Sequence, residues 1–70
     1  MTKTELQAFL EANVGNFVRV TYVDDETDSE RFKVVRVNEH EFTGRDIADD
    51  EWTFRLANVK EVYLAETGLS

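Results

Sequence analysis

The chain has 70 residues, with 15 acidic and 8 basic side chains, one His, no Cys and no Pro, and a formal net charge of −7. That length supports one small domain, which buries only about 60% of the surface its unfolded form exposes, so a second domain and a solenoid array are excluded. Apolar runs of only a few residues leave no membrane span and no signal-peptide core, and zero Cys removes disulfides, thiolate nucleophiles and Cys-type zinc sites together.

Residues 2–13 read as a short helix. Thr2 or Thr4 can serve as N-cap, and Thr2-Lys3-Thr4-Glu5 fits the capping-box pattern, in which a Thr hydroxyl and a Glu carboxylate satisfy each other's backbone N–H groups. Leu6, Phe9 and Leu10 follow at helical spacing, with Val14 one turn further on, as one apolar stripe. Asn13 and Gly15 are stop signals, since both tolerate left-handed backbone angles. So short a helix is marginal alone and must dock its stripe on other elements.

From Asn16 the period changes to two. Residues 17–23, Phe-Val-Arg-Val-Thr-Tyr-Val, are β-branched and aromatic, with Val18, Val20 and Tyr22 on one face. Residues 31–37 repeat the pattern, with Phe32 and Val34 inward. Residues 41–45 form a weaker third strand whose Gly44 suggests a bulge or a close backbone approach. Residues 51–56 alternate cleanly, with Trp52, Phe54 and Leu56 on one face. Residues 56–59 are too few for a normal hairpin and read as one helical turn. Residues 60–65 close the domain with Val62 and Leu64 inward, and residues 66–70 form a frayed tail. One short N-terminal helix and five short strands point to a mainly β domain spanning residues 1–70. Its expected form is a small five-stranded antiparallel barrel over residues 16–65, with the helix capping one open end. Phe17, Val35 and Val37 fall opposite the core face and form a patch for self-association.

The acidity is concentrated. Residues 24–30 hold five acids and residues 46–51 hold four, with no base in either; the rest of the chain has six acids against its eight bases. Such a balance argues against a generic nucleic-acid binder and favours a basic partner or a solubility role. Chemistry has little to work with. His40 lies in a turn between carboxylates, and Ser29 and Ser70 sit in polar segments without a neighbouring base. Asp24, Glu26, Asp28 and Glu30 alternate like the start of a calcium loop, but Ser29 stands where that loop needs Gly. No catalytic set, cofactor or metal site is therefore expected.

Two families of small SH3-like barrels resemble this pattern. Val18-Arg19-Val20-Thr21-Tyr22, Arg31-Phe32-Lys33-Val34-Val35 and the run from Trp52 to Val62 are similar to the WYL domain core, with its V-x-I-x-Y first strand and its R-x-F-R-L-D-R-I-x-x-V closing segment. The namesake Trp-Tyr-Leu run is replaced here by Glu41-Phe42-Thr43, and the family's basic residue before the isoleucine by Asn58. An Sm-like opening resembles Val14-Gly15-Asn16-Phe17-Val18-Arg19-Val20, and the first Sm motif resembles Val37-Asn38-Glu39-His40-Glu41-Phe42. Leu56-Ala57-Asn58 stands in the place of the Sm Arg-Gly-Asp/Asn signature, so Asn58 alone carries over to its RNA pocket. Both resemblances imply the barrel. The second implies association of copies through the fourth and fifth strands.

The expected function is that of a non-enzymatic, cytoplasmic protein-binding module, of the kind found among phage and accessory inhibitors. Its acidic loops, through Asp24, Asp25, Glu26, Asp28, Asp49, Asp50 and Glu51, would imitate nucleic-acid phosphates and occupy a basic surface of a partner protein. The alternative is a single-stranded nucleic-acid or nucleotide binder using Arg19, Arg31, Lys33 and Arg55, with Tyr22 as an aromatic platform. Neither reading involves a membrane.

Overall fold

The computed structural model describes residues 1–24 and 31–65. Helix α1 runs Lys3–Ala12, followed by β1 (Phe17–Tyr22), β2 (Phe32–Val37), β3 (Glu41–Arg45), β4 (Glu51–Arg55), a 3-10 turn at Leu56–Asn58, and β5 (Val59–Leu64).

The capping box forms: the Glu5 backbone N–H donates to Thr2 Oγ1 (3.1 Å), and the Thr2 N–H donates to Glu5 Oε1 (2.7 Å). These bonds hold the Glu5 carboxyl below its ordinary pKa, the Thr2 backbone N–H contributing most. At the other end the two stop residues divide the work. Asn13 acts through its side chain, whose Nδ2 donates to the Phe9 carbonyl (2.8 Å). Gly15 supplies the left-handed angle, φ 95°. Gly15 N–H then donates to the Val34 carbonyl (2.8 Å) and Val34 N–H to the Asn16 carbonyl (3.0 Å), which splices the helix exit onto β2. Leu6 and Leu10 are buried and Phe9 is half-buried, as the stripe requires, but Val14 lies beyond the helix end and is exposed.

The strands form one antiparallel sheet in the order β4-β3-β2-β1-β5. Among the described residues no ladder joins β4 to β5, so the sheet is open, where closure into a barrel was expected. It is nevertheless strongly curved. Tyr22 of β1 and Phe54 of β4 are not on neighbouring strands, yet their ring centroids lie 6.2 Å apart.

The core joins Leu6 and Leu10 to Val18, Val20, Phe32, Val34, Phe42, Leu56, Val59 and Val62. Phe54 is half-buried at its margin, with its ring stacked on Phe42 (4.8 Å) and edge-on to Phe32 (4.8 Å). Gly44 makes the β2–β3 approach fit, because a Cβ there would meet Phe32 Cβ at 3.0 Å and the Lys33 carbonyl at 3.2 Å.

Three expected positions differ. Trp52 shares the face of Phe54 but is 52% exposed, because β4 is an edge strand and the core layer ends at Phe54. Leu64 is exposed for the same reason at the far end of β5. Val37 packs against the core because a bulge between Val34 and Arg36 inserts Val35 as an extra residue and turns Val37 inward, opposite Phe42. Of the three residues expected to form an association patch, only Phe17 is exposed. The frayed tail lies outside the described residues.

Candidate functional site

Both acidic segments leave the sheet at strand ends, but only one is described in full. Of the first, Asp24 is exposed just past β1, while Asp25, Glu26 and Asp28, together with the calcium-like spacing, lie outside the described residues. The second is the β3–β4 loop, and one carboxylate builds it. Asp46 Oδ1 accepts the backbone N–H of Ala48 (2.9 Å) and of Asp50 (3.0 Å), while Oδ2 accepts Trp52 Nε1–H (2.8 Å). The Asp46 N–H donates to the Asp50 carbonyl (3.0 Å), and the Asp49 N–H to the Asp46 carbonyl (2.9 Å). Asp49 turns the chain at φ 69°, an angle Asp tolerates better than most residues. Bonded first by Trp52 and then by the Asp50 and Ala48 N–H groups, the Asp46 carboxyl is held below the usual Asp range.

The loop's remaining acids divide. Glu51 faces two guanidinium groups, Arg45 Nη2 at 3.3 Å and Arg36 Nη2 at 3.8 Å. Asp49 Oδ1 lies 3.6 Å from Arg45 Nη1, which also donates to the Asp49 carbonyl (3.1 Å). All these groups are substantially exposed, so each pair stabilises the fold by about 0–1 kcal/mol. Asp50 makes no ion pair with a described residue and points outward with Asp49, whose side chain is 84% exposed.

The basic strand residues do not form one stripe. Lys33 stands opposite Phe17 of β1 and Arg45 of β3, on the outer face of the sheet. Arg31 adds a guanidinium 6.0 Å from the Phe17 ring centroid. Arg19 follows Phe17 two residues along β1 on that face, opposite Tyr63. Arg55 is elsewhere, at the end of β4 opposite Glu41. Tyr22 is half-buried against the core rather than standing out as a platform. Three of the five alternative residues therefore gather around Phe17, and two line a separate cleft.

No protein-family model, curated protein or solved structure matches the chain.

That cleft was not visible as a pattern. It has a volume of about 500 Å³ and is lined by Tyr22, Asp24, Thr53, Phe54, Arg55, Asn58 and Val59. It opens where the curved sheet brings the end of β1 and the start of β5 towards β4 without pairing them. Alternation can place Thr53 and Arg55 on a face, but only the curvature sets them opposite Tyr22. Asp46 was also missed as an individual. Its signal in the sequence was an Asp six residues before a Trp on an edge strand, inside a run too acidic to single it out. His40 is exposed in the β2–β3 turn, where Asn38 Oδ1 accepts the N–H groups of His40 (2.8 Å) and Glu41 (2.9 Å).

Proposed function

We propose that this protein is a small non-enzymatic binding module whose acidic loops occupy a basic, nucleic-acid-binding surface of a partner protein. The observation that carries this reading is the construction of the β3–β4 loop. Solvated acids in a solubilising loop need no fixed geometry. Here one carboxylate is spent on three N–H donors, and the result is a defined turn that holds Asp49 and Asp50 outward. Pre-organised charge loses less conformational freedom on binding and steers encounter with an oppositely charged surface. An SH3-like barrel, in keeping with both resemblances, is the architecture we assign to the curved five-stranded sheet.

The test is capture from host extract with the intact chain and with a variant carrying Asp49→Asn and Asp50→Asn, Asp46 being left in place. The intact chain is expected to retain a basic protein, to release it as salt rises past the physiological range, and to lose it to added nucleic acid. The variant should stay folded by circular dichroism and retain much less of the same protein. Equal retention by both chains rejects the acidic-surface reading.

A further inference from the structure

The β3–β4 ladder determines which backbone groups of the edge strand are available. The Asp46 N–H bonds the Asp50 carbonyl, and the Leu56 N–H bonds the His40 carbonyl (2.9 Å), so 46/50 and 40/56 are hydrogen-bonded pairs. Bonded and non-bonded pairs alternate along an antiparallel ladder, which makes 44/52 and 42/54 bonded as well. The N–H and C=O groups of Thr53 and Arg55 therefore point away from β3, towards the open edge. No described residue bonds them there. Both residues line the cleft beside Tyr22, Asn58 and Val59.

The side chains along this edge are patterned. Phe54, half-buried, faces the inner side with Tyr22 and Val59, while Thr53 and Arg55 face the outer side. Past Arg55 a second hollow of about 350 Å³ is lined by Arg55, Lys3, His40, Glu41 and Ala57. Neither Arg55 nor Lys3 makes an ion pair with a described residue. The edge thus offers main-chain hydrogen bonds at two residues, a seat between them formed by Phe54, Tyr22 and Val59 within an otherwise polar cleft, and two cations, with the Glu41 carboxylate beside them, at one end.

We propose that the β4 edge is a second binding site, taking an extended segment of a partner protein as an added strand. The residue paired with Phe54 is apolar and fills the seat beside Tyr22 and Val59; the residue paired with Arg55 is acidic and reaches towards Arg55 and Lys3. Main-chain bonds to Thr53 and Arg55 supply affinity, and the alternating side chains supply selectivity. The acidic-loop function does not depend on this site, and the site does not depend on it.

The probe is the capped peptide acetyl-Thr-Glu-Val-Thr-Val-Glu-Thr-amide, which presents the same pattern in either chain direction. It is titrated into isotopically labelled full-length protein at about 0.15 M salt, where long-range repulsion by the acidic loops is screened. Saturable amide shifts are expected at Thr53, Arg55, Tyr22 and Asn58, with slowed hydrogen exchange at Thr53 and Arg55. Replacing both Glu of the peptide by Lys, or N-methylating its two Val residues and central Thr, should weaken binding about tenfold or more. Arg55→Glu should lose the Glu peptide and gain the Lys peptide, a reversal that a misfolded variant would not give. The proposal is overturned by equal binding of the N-methylated peptide, or by shifts that cluster around Phe17 instead. It is equally overturned by an absence of shifts at millimolar peptide, or by edge shifts that follow protein concentration without peptide, which would mean that a second copy fills the edge.

Discussion

Gly44→Ala tests the packing of the central strands most directly, because the added methyl has no flexible neighbour to displace. An ideal Cβ would sit 3.0 Å from Phe32 Cβ, 3.2 Å from the Lys33 carbonyl oxygen and 3.6 Å from the Phe42 ring. The first two are fixed to the β2 backbone, so β2 and β3 must move apart or shear at Val34↔Gly44. Overpacking of this kind costs about 1–3 kcal/mol. Against it stands a gain of about 0.4–1 kcal/mol from the stiffer unfolded chain. A net loss of about 1–2 kcal/mol is expected from these two magnitudes. With a urea m-value near 1 kcal/mol/M for so small a protein, the unfolding midpoint should fall by about 1–2 M. Gly15→Ala is the control for mechanism: its Cβ meets nothing within 4 Å, and its cost arises only from φ 95°. Asn at position 15, which accepts such angles, should recover part of that cost, whereas Asn at position 44 should be worse than Ala. A Gly44→Ala protein as stable as the parent would refute the close approach of β2 and β3.

Phe42→Ala should cost about 3–5 kcal/mol, a large share of the about 4–10 kcal/mol that a domain of this size holds in total; Trp52→Ala, from the exposed edge, should shift the same urea midpoint far less. Reversal of that order would mean that the core layer does not end at Phe54. Thr2→Ala removes the acceptor for the Glu5 N–H, and a loss of about 1 kcal/mol is expected in thermal unfolding, with amide exchange rising first in residues 3–6.

Element positions were legible because they follow from periodicity alone: the change from a helical period to alternation at Asn16 locates β1, and β3 matches its expected bounds of 41–45. Depth was less legible. Alternation reports a face, and a face means burial only where another layer covers it. Trp52 and Leu64 have the right parity and the wrong depth because each lies on an edge strand. Bulges defeat parity itself. The register shift at Thr21/Tyr22 against β5 sets Val59 and Val62 inward three residues apart, a spacing no strict alternation contains. Phe42 escaped notice for a different reason: its strand also carries Thr43 and Gly44, and their burial comes from close sheet packing rather than from hydrophobicity. For the candidate site, the location of the acidic β3–β4 loop was readable. Which of its carboxylates builds the turn and which face solvent depended on hydrogen bonds that composition does not encode.

That division of labour has a pH signature. Asp46 is more acidic in the folded chain than an ordinary Asp because its ionised form accepts the Trp52 indole N–H and two backbone N–H groups. A depressed folded pKa means that the contribution is fully present above the ordinary Asp range, near pH 3.9 and upward. It is lost as pH falls through the lower, folded value, when the carboxyl takes a proton that the unfolded chain would already have bound. Trp52 is the only Trp, so its indole Nε1–H resonance reports this one bond. The resonance should hold its position from neutral pH down to the ordinary Asp range and move only below it. Asp46→Asn should displace it at every pH and loosen the loop. Asp50→Asn, which leaves the Asp50 N–H bond to Asp46 untouched, should not displace it. Titration of the indole at or above the ordinary Asp value would mean that the bond is not made in solution. The outward display of Asp49 and Asp50 would then have no fixed frame, and their acidity would be that of a simple solvated turn.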